Sequence, residues 1–298
     1  MQTSEDLKKI VRDKYTEIAG QEKSLNQASC CGSGAVSGEV YNIMTDDYSK
    51  VEGYTADADL GLGCGLPTEF ANISEGDTVI DLGSGAGNDC FVARYHTGAS
   101  GKVIGIDFTP AMIAKARINA DKLGYNNVEF REGDIDNMPV GDNAADVIVS
   151  NCVLNLVPDK EKVISEIYRV LKPGGHFSIS DVVLVGELPK ALQDDAEMYA
   201  GCVSGAIQRD AYLGFIEKAG FENITLQKEK PIVIPDDILE KYLSESESEM
   251  KDFKSGNSGI FSLSVFASKP GVSGKKPKLS LKEIQEQNSD CTPGGGCC

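Results

Sequence analysis

The run Thr78-Val-Ile-Asp-Leu82, breaking into Gly83, Gly85 and Gly87, constrains this chain more than any other stretch. Its apolar, β-branched character predicts a buried strand, and alternating glycines predict a tight turn directly after it. Such a turn also lets the main chain come within contact distance of a small molecule. Just upstream, in Leu60-Gly-Leu-Gly-Cys-Gly-Leu-Pro67, Cys64 stands between two glycines. This predicts a thiol on a loop with little side-chain bulk around it. A soft nucleophile and a nucleotide-type pocket are therefore expected as neighbours.

The rest of the chain alternates strand and helix. Strands are predicted at 78–82, 102–107, 128–132, 145–150 and 176–183, with two late strands at 223–234 and 260–268. Between them, Asn88 opens a helix, and Thr109 caps another with Pro110 at its first position and Gly124 at its end. A third helix covers 158–171 and closes on Lys172-Pro-Gly-Gly175; further helical patterns fall at 189–200 and 208–219. The alternation predicts a doubly wound, mostly parallel α/β sheet with helices on both faces.

Four regions follow. Residues 1–60 hold an amphipathic helix (Leu7, Ile10, Val11, Tyr15 and Ile18 at helical spacing) and a small-residue loop carrying Cys30 and Cys31. Residues 61–185 form the core, 186–269 an acceptor-side region with an acidic insertion, and 270–298 a tail ending in Cys291, Cys297 and Cys298. The composition of that tail predicts flexibility.

A net charge of −17 disfavours nucleic acid and anionic membranes as partners. The chain has no apolar run long enough to span a bilayer and no apolar stretch at its start, which predicts a cytoplasmic protein. In a reducing compartment, nine cysteines need a reason other than a disulfide framework. With only His96 and His176, chemistry built on a histidine base has few candidates, and neither residue is assigned a catalytic role.

Asp107 ends the second strand, where doubly wound folds place an acid against ribose hydroxyls. Asp81, directly before the glycines, would repel a pyrophosphate and suits a cation instead. Asp134 ends the third strand, placed for an adenine amino group. Acids at three strand ends with no arginine nearby suit a ligand with an ammonium, a ribose and an adenine but no phosphate. S-adenosylmethionine has that inventory.

Val-Ile-Asp81-Leu-Gly-Ser-Gly-Ala-Gly, Ile-Gly-Ile-Asp107, Glu-Gly-Asp134-Ile and Leu-Lys-Pro-Gly-Gly resemble, in order, the signature motifs of class I S-adenosylmethionine-dependent methyltransferases, whose fold is Rossmann-like. The resemblance implies that Gly83 and Gly85 contact the methionine end, Asp107 the ribose, and Asp134 with Ile135 the adenine. Asp81, Phe108 and Asn151 complete the implied cofactor set.

Cys152 follows the fourth strand, Cys64 precedes the first, and Cys202 lies after the fifth, so three thiols on separate loops are expected to converge over the cofactor. Three thiolates select a soft, thiophilic centre, and trivalent arsenic takes three in a pyramid. Its lone pair carries no proton, so methyl transfer to it needs no general base and reduces to positioning. No Cys-x-x-Cys pair links these three, which argues against zinc. Cys90 is expected to be a buried small hydrophobe, and Asn155 either touches the cofactor or ends its strand.

The cysteine segments Leu-Gly-Leu-Gly-Cys64-Gly-Leu-Pro, Ser-Asn-Cys152-Val-Leu-Asn-Leu-Val-Pro-Asp and Tyr-Ala-Gly-Cys202-Val-Ser-Gly-Ala resemble those of arsenite methyltransferases. That resemblance implies Cys64, Cys152 and Cys202 as arsenic(III) ligands, with Cys30 or Cys31 forming a resolving disulfide as arsenic is reduced between methylations. It further implies arsenite or its thiol conjugates as substrate, a thiol reductant (glutathione or thioredoxin) as co-substrate, and a monomer. The alternatives are a quinone-like C- or O-methyltransferase, which would not depend on thiols, and an inactive thiol-based metalloid binder.

Overall fold

The structure, a computed structural model, describes residues 4–21, 46–186, 205–232 and 259–271. Seven strands form one sheet in the order β3-β2-β1-β4-β5-β7-β6. These are β1 (Thr78–Leu82), β2 (Lys102–Asp107), β3 (Val128–Glu132), β4 (Ala145–Asn151), β5 (Leu171–Val185), β6 (Glu222–Ile232) and β7 (Gly259–Ser268). The first five pair in parallel, and β7 lies antiparallel between β5 and β6. The strand order reverses between β1 and β4, and in open α/β sheets the crevice at that reversal receives ligands.

Alternation along each strand assigns residues to one of two cores. Val79, Val103, Val147 and Val149 face a layer that includes α1 (Ser4–Ala19), α3 (Asn88–Thr97) and α4 (Pro110–Leu123). Ile80, Leu82, Ile148, Phe177 and Ile179 face α5 (Lys160–Val170) and α6 (Arg209–Lys218). Strands buried on both faces explain the nearly continuous apolar runs of the sequence. A single turn of helix, α2 (Pro67–Phe70), follows the Cys64 loop.

Local chemistry sets the helix ends. Gly124 closes α4 in a left-handed conformation and donates to Ala120 O and Asp121 O. Thr109 occupies the N-cap position of α4, but its hydroxyl makes no capping bond; the Asp107 carboxylate takes the Thr109 N–H instead. Asp159 caps α5 through Lys162 N, and Val163, Ile164, Ile167 and Val170 bury one face of that helix. Removing one of these side chains, as in Ile167→Ala, costs about 2–5 kcal/mol.

The strand after α5 begins earlier than the sequence predicts. Leu171 pairs with Ala145 and His176 with Val147, so Lys172-Pro-Gly-Gly175 bulges against the single residue Asp146. The expected turn is therefore an interruption inside β5 rather than its boundary. The predicted helix at 189–200, the acidic stretch 236–252, the Cys30/Cys31 loop, Cys202 and the C-terminal tail lie outside the described residues.

Candidate active site

At the carboxyl ends of β1, β2 and β4 a cleft opens, walled by Asp81, Gly85, Asp107, Asp134, Asn151 and Cys152 among others. The glycine turn forms its floor. Gly83 and Gly85 both have positive φ (67° and 50°). A Cβ on Gly83 would run into Val153, whereas one on Gly85 would project into open space. That space leaves the Gly85 main chain accessible to a ligand. Phe108 and Ile135 also line the cleft, so all eight expected cofactor residues (Asp81, Gly83, Gly85, Asp107, Phe108, Asp134, Ile135, Asn151) surround one space.

Electrostatics in the cleft favour a cation. Asp107 is buried and accepts from Gly85 N at 3.0 Å and Thr109 N at 2.8 Å. Desolvation raises its pKa, and these two backbone donors hold the rise back. Burial, together with the neighbouring Asp89 and Asp107, pushes Asp81 well above the usual carboxylate range. Burial likewise lifts Asp89 to about 6, with Tyr48 and Asn151 opposing through hydrogen bonds. Cys90 is fully buried, as expected, and its Sγ donates to Asp81 at 3.2 Å, so it supports the acid rather than merely filling space. Crowded, dry carboxylates are costly without a positive partner.

The N-terminal helix supplies cations that the sequence reading did not place. Lys8 lines the cleft and pairs with Asp136 at 3.0 Å and Asp134 at 3.4 Å. Arg12 lies over the Phe108 ring, 5.3 Å from its centroid. The amphipathic pattern of residues 4–19 therefore covers the Asp134 end of the cleft, with Val11 and Tyr15 joining its wall. The cation paired with Asp134 is thus a lysine brought in by a distant helix.

Cys64 departs from its expected setting. It is fully buried, and its flanking glycines serve close packing rather than exposure. A Cβ on Gly63 would sit 2.5 Å from Asn151 Nδ2, and one on Gly65 2.5 Å from Ser180 Oγ. Asn151 clamps the loop. Its Oδ1 accepts from Cys64 N at 3.0 Å, and its Nδ2 donates to Gly65 O at 2.9 Å and Tyr48 OH at 2.6 Å. Tyr48 in turn donates to Asp89 at 2.8 Å. Ser262 Oγ donates to Cys64 O at 2.6 Å.

Asn151, Ser180 and Ser264 are cross-strand partners in β4, β5 and β7, a small polar rung beneath the loop. The alternating serines Ser178-x-Ser180 and Ser262-x-Ser264 inside apolar strands signal that rung in the sequence.

Cys152 is 3% exposed and sits one residue past β4 with φ 60°, a left-handed conformation unusual for a residue with a side chain. Its N–H donates to Ser180 O at 2.8 Å, which helps hold the strained backbone. Cys64, Cys90 and Cys152 are thiols. The Cys64 and Cys152 loops meet through Asn151. Cys202, Cys30 and Cys31 are outside the described residues.

Two further expectations resolve structurally. Asn155 donates to Val182 O at 2.6 Å and anchors its turn to β5. His176 is tied to Ala71 O at 2.6 Å and packs on Phe266, while His96 is exposed. Among the described residues, no cluster of three or more His, Cys, Asp or Glu side chains could hold a metal ion, and no helix is long and apolar enough to cross a membrane.

A methyltransferase-domain family model matches residues 73–220. The arsenite methyltransferase of Halobacterium salinarum is 44% identical over 238 residues, 74% of this chain and 59% of that protein. The arsenite methyltransferase of Aquipseudomonas alcaligenes is 33% identical over 243 residues, 79% of this chain and 68% of that protein. Among solved structures, an arsenic(III) S-adenosylmethionine methyltransferase from Chlamydomonas reinhardtii superposes with a TM-score of 0.58 at 33% identity, over 73% of this chain and 70% of that one. The chain thus spans less than two thirds of the halobacterial relative's length.

Proposed function

The chain belongs to the arsenite methyltransferase family, and from that premise we propose that it methylates trivalent arsenic, held by Cys64, Cys152 and Cys202, using S-adenosylmethionine. The observation that carries this reading is that Asn151, the residue before the cleft-lining Cys152, holds the backbone of the buried Cys64 loop, so two thiol-bearing loops distant in sequence are joined beside an acidic cleft. A C- or O-methyltransferase has no use for that pairing, and a metalloid binder without turnover has no use for the cleft.

Bound S-adenosylmethionine supplies a methyl group activated by a sulfonium. Asp81, Asp89 and Asp107 would balance its positive charge, Asp107 would hold the ribose, and Asp134 with Ile135 the adenine. The open Gly85 main chain fits the methionine end. Lys8 and α1 cover the far side and exclude water.

The thiolates of Cys64, Cys152 and Cys202 hold arsenic with its lone pair available. The Asn151 clamp fixes the Cys64 loop relative to the cleft, which is the positioning that in-line transfer demands. Cys30 or Cys31 would resolve the oxidised site as a disulfide, with glutathione or thioredoxin restoring the thiols. All of these groups come from one chain, so a monomer suffices.

The test is incubation with arsenite, methyl-labelled S-adenosylmethionine and glutathione or thioredoxin, followed by chromatography of the arsenicals. Labelled methylarsenicals are expected. Absence of product, or an undiminished yield from Cys152→Ser, would refute the reading.

A further inference from the structure

Of the three thiols among the described residues, Cys64 and Cys152 have a place in the proposed chemistry and Cys90 has none. The position of Cys90 follows from the glycine turn. Gly87 donates to Ser84 O at 2.8 Å and, with φ 99°, opens α3, so the first turn of that helix folds back beside β1. Cys90 is the third residue of α3 and comes to lie against Asp81, nine residues earlier in the chain.

Cys90 is fully buried within the apolar cluster that holds Val79, Phe91, Val103 and Val149. Its Sγ donates to Asp81 Oδ2 at 3.2 Å, and among the described residues no other side chain bonds to that carboxyl. Asp81 lines the cleft, as do Tyr48, Asp89 and Asp107. Cys90 does not line it, so the thiol reaches the ligand space only through the carboxyl.

A thiol suits this position. It is a weak donor that costs little to bury among apolar side chains, so it can orient a carboxylate without neutralising it. Burial, then the charge of Asp81, pushes the Cys90 thiol well above its usual range. Soft centres take the thiolate, so Cys90 stays a protonated donor, apart from the arsenic ligands. At Asp81, burial and then Asp89 favour the acid form, and the Cys90 bond opposes them. Among the described residues, Tyr48, Asp89 from α3 and Asp107 from β2 are the other titratable groups that face Asp81, whereas its strand neighbours Gly105 and Val149 carry no charge.

We propose that Cys90 is a positioning residue for S-adenosylmethionine, its S–H holding Oδ2 of Asp81 and leaving Oδ1 for the cationic methionine end of the cofactor. Asp81 touches the ligand, and Cys90 acts through it. The thiol keeps its proton throughout, and no bond to it forms or breaks. The assignment rests on the cofactor part of the reading above and on none of its arsenic chemistry.

Equilibrium binding of S-adenosylmethionine to the full chain, without arsenite, tests it. The variants are Cys90→Ala, Cys90→Ser, Asp81→Asn and the double variant Cys90→Ala/Asp81→Asn. Cys90→Ala should weaken binding by about tenfold, the low end for a hydrogen bond to a charged group because sulfur is a weak donor. Without that bond the Asp81 carboxyl keeps its proton to higher pH, so the midpoint of the acid loss of affinity should rise by up to about one unit. Cys90→Ser keeps a donor and should bind about threefold or more tighter than Cys90→Ala. In the Asp81→Asn background, Cys90→Ala should change affinity by less than about twofold, because the charge it orients is already gone.

Unchanged affinity in Cys90→Ala would overturn the assignment while leaving the cofactor reading intact. An equal loss in the Asp81→Asn background, a midpoint that does not move, or a serine no better than alanine would each mark a packing role and overturn it too. Wild type that does not bind S-adenosylmethionine would remove the cofactor reading and the positioning role together.

Discussion

Asp81, Asp89 and Asp107 crowd carboxyl groups around the glycine turn, while the buried Cys64 and Cys152 are held through their backbones by Asn151, Ser262 and Ser180. On the proposed function, the carboxyl-lined side is the cofactor side and would be completed by a cationic ligand arriving from solvent. On the same reading, the thiol side is nearly dry and would take a compact substrate into low dielectric. A hard, charged site and a soft, dry one would interfere if mixed. The fold separates them by one asparagine, Asn151, which touches both the Cys64 loop and the Tyr48–Asp89 pair.

Substitutions on either side should therefore separate two activities. Cys152→Ser is expected to lower arsenite methylation on the order of 1,000-fold, because the substrate loses its positioning ligand. S-adenosylmethionine affinity measured by calorimetry should stay within about twofold. A parallel loss of both would break the separation.

Asp107→Ala does the reverse. It should weaken S-adenosylmethionine binding by about 10- to 100-fold, the worth of a hydrogen bond to a charged group. Arsenite binding by the empty protein should not change. The joint itself is tested by Asn151→Ala, which strips bonds from Cys64 N, Gly65 O and Tyr48 and should cost about 2 kcal/mol in urea unfolding. It should weaken both ligands, unlike either substitution before it.

A pH titration sharpens the contrast further. Burial lifts Asp89 to about 6 and raises Asp81 well above the usual carboxylate range, and a cation needs both ionised. S-adenosylmethionine affinity should fall as pH drops below about 6, by up to about tenfold per unit for each proton taken up. The empty protein responds with the opposite sign. Its folded carboxyls hold protons more tightly than the unfolded chain, so the penalty of burying Asp89 is absent below about pH 4 and fully felt above about 6. A thermal melt across that range reads it.

The smallest effect belongs to Lys8→Ala. Lys8 pairs with Asp134 and Asp136, and Asp134 is 41% exposed. The loss should be about 1 kcal/mol or less, a few-fold in S-adenosylmethionine affinity, and high salt should mimic it.

Local sequence made the cofactor side legible. A strand, a glycine turn and an acid at the next strand end are all short-range patterns, and Asp81, Gly85 and Asp107 lie where those patterns place them. The thiol side was legible only as a set of residue types. That Cys64 would be buried, and that its glycines would pack on Asn151 and Ser180, depends on strands brought together from residues 145 to 268. Lys8 and Arg12 escaped notice for the same reason, since an amphipathic pattern shows that a helix packs but not against what.

Arsenic K-edge X-ray absorption on the protein loaded with arsenite tests most directly whether Cys64 and Cys152 form one site. The account predicts a sulfur-ligated arsenic in wild type, with one sulfur lost and one oxygen gained in each of Cys64→Ser and Cys152→Ser. A sulfur count that neither substitution changes would contradict it.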